Sequence, residues 1–497
     1  MSRDMRKIRT IITQDAEVDD QNSLRHFLFY ANEVELQGIV QTSSKFHWQG
    51  IPGAVKPETE RKDDFGASEN GPFDQPYRWP GTDWMMRVID DYEKDYPRLL
   101  RHSKDYPTPD YLRSITKVGN IGYEGEMEAP SEGSELIRSR ILDDDERTLY
   151  LQVWGGTNTI ARALMDIENE YRDRPEWPEM HRKITEKVVI TACGEQDPAY
   201  RQYVAESWPD MLFVKTLQMR SYAYPWYAMP EGESKDTLRA EFMKPEILDG
   251  RSALTDGYCT WMDGKEYEGE GPEGQFGSNP NIVSEWFGAR MGFQPKQYDF
   301  LSEGDSPTYI LLFPWGFRTL ENFAWGGMAG RYHREEGQVN SKGQPLNVWN
   351  VSLDGYTDRD GRTVETESMW PHVAEIQRDF AARAAWVDTE SFEEGEHAPT
   401  LDIEEGLDHF AGPGKTYTLH AHAASPDRTE LTVSASVYPE ASASWAAEAG
   451  IFREGDAFTV SIPESAAPGD QLHVVFKAQA GGHFRLVHYQ QAVFTVR

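Results

Sequence analysis

The chain has 497 residues, with 50 Lys and Arg against 83 Asp and Glu, a formal net charge of −33. That field opposes a general affinity for nucleic-acid phosphate or anionic lipid, so neither nucleic acid nor membrane is an expected partner. Aromatic residues make up 12% of the chain, too much apolar surface to leave in water, which excludes whole-chain disorder, and no apolar run approaches the ~20 residues of a membrane span.

The acidity suits solubility or a salty habitat; the sharper alternative is that some carboxylates hold a cation. The start, Met-Ser-Arg-Asp-Met-Arg-Lys-Ile, lacks the apolar stretch of a signal peptide. A cytoplasmic location is expected for the chain as written, with a trimmed secreted form as the alternative. Two cysteines, Cys193 and Cys259, support neither a disulfide framework nor a zinc site.

Residues 7–13 read as a strand that runs into the acidic loop 14–20. Leu24, Phe27, Leu28 and Ala31 follow at helical spacing, and 34–40 is a second strand ending in Thr42, Ser43 and Ser44. A strand, helix and strand of this length form a βαβ unit, so the strands are parallel. Between 46 and 130 lies a Trp-, Pro- and Asp-rich excursion with one helix near 84–100. The pattern resumes at 148–154, where a buried strand leads into Gly155-Gly156-Thr157 and a helix through Ala161, Leu164 and Ile167. The strand at 187–192 is followed by Gly194-Glu195-Gln196-Asp197, and 211–214 continues the series. Polar residues thus gather at the carboxyl ends of the strands, where open α/β sheets bind ligands. A second Gly-, Pro- and Glu-rich excursion spans 221–280, and a packing helix 371–386.

The composition changes near residue 390. The acidic stretch 393–412 reads as a linker between a first domain, 1–392, and a second, 413–497. In the latter, strict alternation at 417–423, 431–437, 458–462, 472–476 and 492–496 predicts a small antiparallel sandwich. An edge strand of that sandwich is available for pairing in a homo-oligomer.

Asp15, Asp19 and Asp20 on the first loop have two readings. Asp is favoured at a helix N-cap and near the positive end of the helix dipole. Alternatively, the three belong to a divalent hard-cation site, in which case other strand ends must supply further oxygens.

The loop Thr13-Gln14-Asp15-Ala16-Glu17-Val18-Asp19-Asp20 resembles the D-x-D-P-G-x-D-D signature of calcium-dependent nucleoside hydrolases. Trp154-Gly-Gly-Thr-Asn-Thr-Ile-Ala161 resembles their Gly-Gly-Leu-Thr-Asn-Ile-Ala segment. Segments 132–137, 153–159, 303–307, 325–332 and 379–383, together with the C-terminal sandwich, are similar to a nucleoside-hydrolase-like family typified by a bacterial cellulose-binding protein. The resemblance implies a Rossmann-type, mostly parallel α/β sheet followed by an all-β Ig-like sandwich. It implies Ca²⁺ as cofactor, held by Asp15, Asp20, the Trp154 carbonyl and Asp305, the last arriving from a distant strand. Asp15 would also act as general base on the attacking water, and Asp19 would bond sugar hydroxyls. Direct attack by water predicts inversion at the anomeric carbon.

The sequence departs from the signature at three places. Thr13 replaces its first Asp, Ala16-Glu17 replaces Pro-Gly, and Gly304 stands where many nucleoside hydrolases carry the His associated with the leaving group. The proton for a leaving group must therefore come from elsewhere, and Glu195 and Asp197 are the expected acids, with His47 a further candidate. Gln196 and Asn158 are expected on the sugar. Trp48, Trp79, Trp84, Trp315, Trp325 and Trp349 fall in predicted loops or near strand ends, and Trp48, Trp315 and Trp325 are assigned to a carbohydrate cleft, where aromatic faces stack on sugar rings. The expectation is a Ca²⁺-dependent glycoside hydrolase. A nucleoside N-ribohydrolase and a non-catalytic carbohydrate-binding protein are the alternatives.

Overall fold

A computed structural model describes residues 7–56, 62–67, 71–265, 269 and 293–497. The central sheet grows from β1 (Ile8–Gln14), which is covered on both faces and almost wholly buried. Helix α1 (Val18–Leu28) carries the chain back to β2 (Val34–Gln41), parallel to β1. A small ribbon, β3 (Lys62–Asp63) and β4 (Gly66–Ala67), interrupts the first excursion. Helices α2 (Trp84–His102) and α3 (Pro109–Ile115) then lead into β5 (Thr116–Val118), an edge strand too short to read from period.

Helix α4 (Glu132–Ile141) precedes β6 (Leu149–Val153). The βα repeats that follow are α5 (Asn158–Tyr171), α6 (Trp177–Lys187), β7 (Val188–Ala192) and β8 (Leu212–Lys215). The sheet is completed by β9 (Tyr332–Arg334) and β10 (Val348–Val351) in the order β5-β2-β1-β6-β7-β8-β10-β9. Every neighbouring pair is parallel except β9 with β10. In the predicted excursions, 57–61, 68–70, 266–268 and 270–280 lie outside the described residues.

A ribbon of β11 (Leu353–Thr357) and β12 (Thr363–Glu367) precedes the helix Val373–Ala385. The stretch expected to be a linker is built into the second unit. There β13 (Thr400–Ile403) pairs with β15 (Thr416–Ala424), and β14 (Asp408–Ala411) pairs with β20 (Val487–Val496). Thr-Leu-Asp-Ile does alternate, burying Leu401 and Ile403, but the surrounding acids hide so short a run. The other strands are β16 (Leu431–Val437), β17 (Gly450–Glu454), β18 (Ala457–Ser461) and β19 (Gln471–Ala480). They form two four-stranded sheets, β13-β15-β18-β17 and β14-β20-β19-β16. The β14–β20 pair is parallel, so the predicted all-antiparallel pairing holds for the rest only.

The two units share a packed seam. Tyr489 N–H donates to the Trp315 carbonyl at 2.9 Å, and Gln491 Nε2 to the Trp325 carbonyl at 2.8 Å. Val475, Val487 and Tyr489 of the second unit belong to the main hydrophobic core of the first.

Candidate functional site

Four adjacent strands, β2, β1, β6 and β7, end together, and each contributes the residues just beyond its last rung. From β2 come Ser43, Ser44 and His47; from β1, Asp15; from β6, Trp154 to Thr157; from β7, Cys193 to Asp197. The loops are stitched by main-chain bonds, including Trp154 N–H to Thr13 O at 2.8 Å and Gly156 N–H to Ser43 O at 3.0 Å. This close approach explains both glycines. A Cβ on Gly155 would stand 2.7 Å from Asp15 Cβ, and one on Gly156 2.4 Å from an Asp197 oxygen.

Asp15 is fully buried, Asp20 is 1% exposed and Asp19 8%. Neither Asp19 nor Asp20 caps α1. The cap position belongs to Glu17, which makes no side-chain cap bond. Asp20 instead accepts the Asp15 N–H at 3.1 Å, and Asp19 accepts Ser302 Oγ at 3.1 Å. Asp15 accepts the Ser44 hydroxyl and lies 3.7 Å from His47 Nδ1. Ala16 turns the loop with φ +75°, a conformation that an L-residue adopts at a cost.

Asp305 joins from far along the sequence, and not from a strand end as expected. It precedes the short helical turn Pro307–Ile310, which Thr308 fastens by accepting Trp154 Nε1 at 2.7 Å. On the α1 side, Asn22 Nδ2 donates to the Ser302 carbonyl at 3.1 Å and to the Cys259 carbonyl at 3.0 Å. Asp305 is 2% exposed, and its Oδ2 meets no hydrogen-bond partner among the described residues.

Crowding of these acids shapes their titration. Burial, then the charges of Asp15, Asp305 and Asp19, push the Asp20 carboxyl well above its ordinary value. Burial, then Asp19 and Asp15, do the same to Asp305. Asp19 is pushed up to about 6 by burial and the Asp15 charge, and Glu17 to about 8 by burial and the Asp19 charge. Burial opposes ionisation of Asp15 as well, but the proximity and charge of His47, with the Asp20 carboxyl and the Ser44 hydroxyl beside it, outweigh it and hold Asp15 below the usual range. One carboxylate is thus kept charged and its neighbours pay in repulsion. Ligating atoms of Asp15, Glu17 and His47 lie within 4.8 Å of one another, as do those of Glu17, Asp19 and Asp20. An ion centred there would relieve the repulsion that also acts on Asp305, whose Oδ2 has no hydrogen-bond partner among the described residues, so the residues fit a hard divalent cation.

Other expected site residues hold different places. Glu195 is 2% exposed and ion-paired to Lys215 at 2.9 Å and to Arg201, which hold its carboxylate in place. Asp197 accepts the N–H groups of Asn158 and Ala199, each at 3.0 Å, so it holds the start of α5, although burial raises its pKa to about 7. Gln196 donates to the Trp154 carbonyl, occupying the oxygen expected on the ion, and its own Oε1 has no hydrogen-bond partner among the described residues. Asn158 spends its amide on Ser43 Oγ and the carbonyls of Asn120 and Glu126, each within 3.0 Å, and is a buried hub rather than a sugar contact.

The three assigned tryptophans pack against protein neighbours. Trp48 is fully buried, stacked 4.7 Å from Tyr77 and bonded to the Gln75 carbonyl. Trp315 packs against Tyr30 and Phe313, and Trp325 lies between Arg318 and His473 at the seam. Conversely, sequence reasoning gave no role to Glu17, Ser302 or Glu303, all of which touch the cluster or support it. Glu17 and Glu303 carried a signal, the first as part of the acidic loop and the second as part of the Glu-Gly-Asp-Ser-Pro segment. A cavity of about 640 Å³ opens at the opposite end of the sheet, between 141–146 and 176–187, but its Asp143 is taken up by Arg9 and Lys187.

The mostly parallel sheet with its acidic cluster at the carboxyl edge has the nucleoside hydrolase-like fold. Residues 9–332 match the family model described as cellulose-binding Sde182, nucleoside hydrolase-like domain, and 416–496 match the C-terminal domain of cellulose-binding protein Sde0182. The chain belongs to this family. A solved nucleoside hydrolase-related protein from Saccharophagus degradans, described as associated with carbohydrate metabolism, is 22% identical, with TM-score 0.69 over 99% of this chain and 100% of that one. It shares the fold through both units. A plant nucleoside hydrolase aligns at 9% identity over 76% of this chain and 99% of its own, with TM-score 0.33. No curated protein matches the chain.

Proposed function

We propose that the protein is a Ca²⁺-dependent hydrolase that cleaves a glycosidic bond in a carbohydrate. The observation that carries this reading is the electrostatic crowding of the buried Asp15, Asp19, Asp20 and Asp305, with an Asp305 oxygen left without a donor. Asp15, Asp20 and Asp305 would hold the ion, and the Trp154 carbonyl would join them on release from Gln196. When bound, a divalent cation supplies positive charge that makes an attacking water more acidic. Asp15, kept ionised beside His47, takes the proton from that water. Asp19, the more exposed acid, bonds a sugar hydroxyl, and the surrounding negative charge favours an oxocarbenium-like transition state. With Glu195 ion-paired and Asp197 tied to the backbone, His47, beside Asp15, is assigned to protonate the leaving oxygen.

A second reading, carbohydrate binding without turnover, is favoured by those two anchored acids and by the family's description as cellulose-binding. The deciding experiment incubates the full chain with cello-oligosaccharides and a panel of glycosides, with Ca²⁺ or with a chelator, and follows products by proton NMR. Calcium-dependent release of a sugar of inverted configuration, abolished in Asp15→Asn, supports hydrolysis. Binding that survives Asp15→Asn, with no product from any glycan, supports the second reading, and free base from inosine or uridine makes the protein a nucleoside hydrolase.

A further inference from the structure

A second group of ligating side chains sits on the C-terminal unit. His420 and His422 are two residues apart on β15, so both project from the outer face while Leu419 and Ala421 turn into the core. Carboxylates surround the pair. Glu405 Oε1 is 2.6 Å from His420 Nδ1, Glu404 Oε2 is 3.2 Å from His422 Nε2, and Asp456 Oδ2 is 3.7 Å from His422 Nδ1. Asp402 is the register partner of His422 across the β13–β15 pair.

The backbone holds these groups in place. Glu404 N–H donates to the His420 carbonyl at 3.0 Å, His420 N–H donates to Glu405 Oε2 at 2.8 Å, and the turn closes through Gly406 N–H to the Ile403 carbonyl at 3.0 Å. Gly406 takes φ +83°, which turns the two glutamates back over the strand.

We propose that this face binds a divalent transition-metal ion of the zinc class, with His420 and His422 as nitrogen ligands and Glu404 and Glu405 as oxygen ligands. Imidazole with carboxylate is the donor set of Zn²⁺ and Cu²⁺, whereas the carboxylate-rich cluster of the first unit, with one histidine at its margin, suits a hard cation. Ligand atoms of Glu404, Glu405 and His420 already lie within 4.8 Å of one another. Tetrahedral ligands at zinc-type bond lengths stand about 3.3 Å apart, so rotamer shifts on an exposed surface suffice to close the site. A bound ion would lock the turn at 403–406 onto β15.

The test titrates the full chain with zinc chloride by calorimetry in saturating Ca²⁺, alongside the double variants His420→Ala/His422→Ala and Glu404→Gln/Glu405→Gln. All four side chains point outward, so the variants are expected to fold, and far-UV circular dichroism checks this. The expected result is one zinc site whose affinity falls at least tenfold in each double variant. Cu²⁺ electron paramagnetic resonance should show two imidazole nitrogens in the parent protein and lose them in the histidine variant. Absence of zinc binding, or binding that survives the histidine variant and disappears instead in His47→Ala, overturns the proposal.

Discussion

His26 Nδ1 lies 2.7 Å from Glu303 Oε2, and both side chains are fully buried. The pair joins α1, which bears Asp19 and Asp20, to the segment that bears Asp305 two residues beyond Glu303. Glu303 also accepts Tyr258 OH and Ser306 Oγ, and His26 is stacked 3.9 Å from Phe380. The two halves of the acidic cluster are therefore registered by a contact that touches neither. His26→Ala removes one partner of a buried pair, and the expected cost is about 3 kcal/mol in urea unfolding. Calcium affinity measured by calorimetry should fall as well, because Asp305 is no longer fixed relative to Asp20.

Removing a charge from the cluster should act in opposite directions with and without the ion. Without Ca²⁺, Asp305→Asn relieves repulsion that holds its neighbours above their ordinary pKa, and a gain of about 1–2 kcal/mol is expected. With Ca²⁺ the same variant loses a ligand, and the calcium-dependent rise in melting temperature should shrink or vanish. Paired thermal melts in calcium and in chelator measure both signs. Equal destabilisation in both media would mean that the acids serve packing alone.

Gly155 gives a steric test of the same pocket. A methyl group there would sit 2.7 Å from Asp15 Cβ and 3.1 Å from Asp15 N, so Gly155→Ala must push the loop outward. The expected result is loss of calcium binding and of any turnover, with a stability cost of about 1–3 kcal/mol from overpacking. Calorimetry and urea unfolding separate the two effects.

Which parts of this site were legible in the sequence follows from how local each signal is. Asp15, Asp19 and Asp20 stand out because one loop carries all three, and alternation over five or more residues exposed most of the sandwich. Asp305 and Trp154 came from the resemblance, since no local pattern ties them to β1. For Trp48, Trp315, Trp325 and Asn158, a loop position near a strand end does not reveal whether a side chain faces a cleft or a neighbouring loop, and the contacts each makes with protein neighbours are visible only in the fold. The ion pairs of Glu195 were hidden for a related reason: its partners Lys215 and Arg201 lie on other elements, and only the fold brings Lys215 within 2.9 Å. Short strands such as β13 were lost in acidic composition.

The seam between the two units should weaken in acid. His473 is fully buried there, accepts Gln491 Nε2 at 3.2 Å through Nδ1, and its Nε2 has no hydrogen-bond partner among the described residues. Burial, with the nearby Arg318 charge, lowers its pKa from 6.5 to about 4. The folded protein therefore keeps His473 neutral while the unfolded chain takes up a proton below pH 6.5. Stability contributed by the neutral ring is complete above pH 6.5, declines as pH falls, and is fully lost below pH 4, a total of up to about 3 kcal/mol. His473→Gln cannot titrate, so the difference in unfolding free energy between parent and variant should change by that amount between pH 7 and pH 4. A difference that stays constant across this range would show that His473 titrates alike in the folded and unfolded chain.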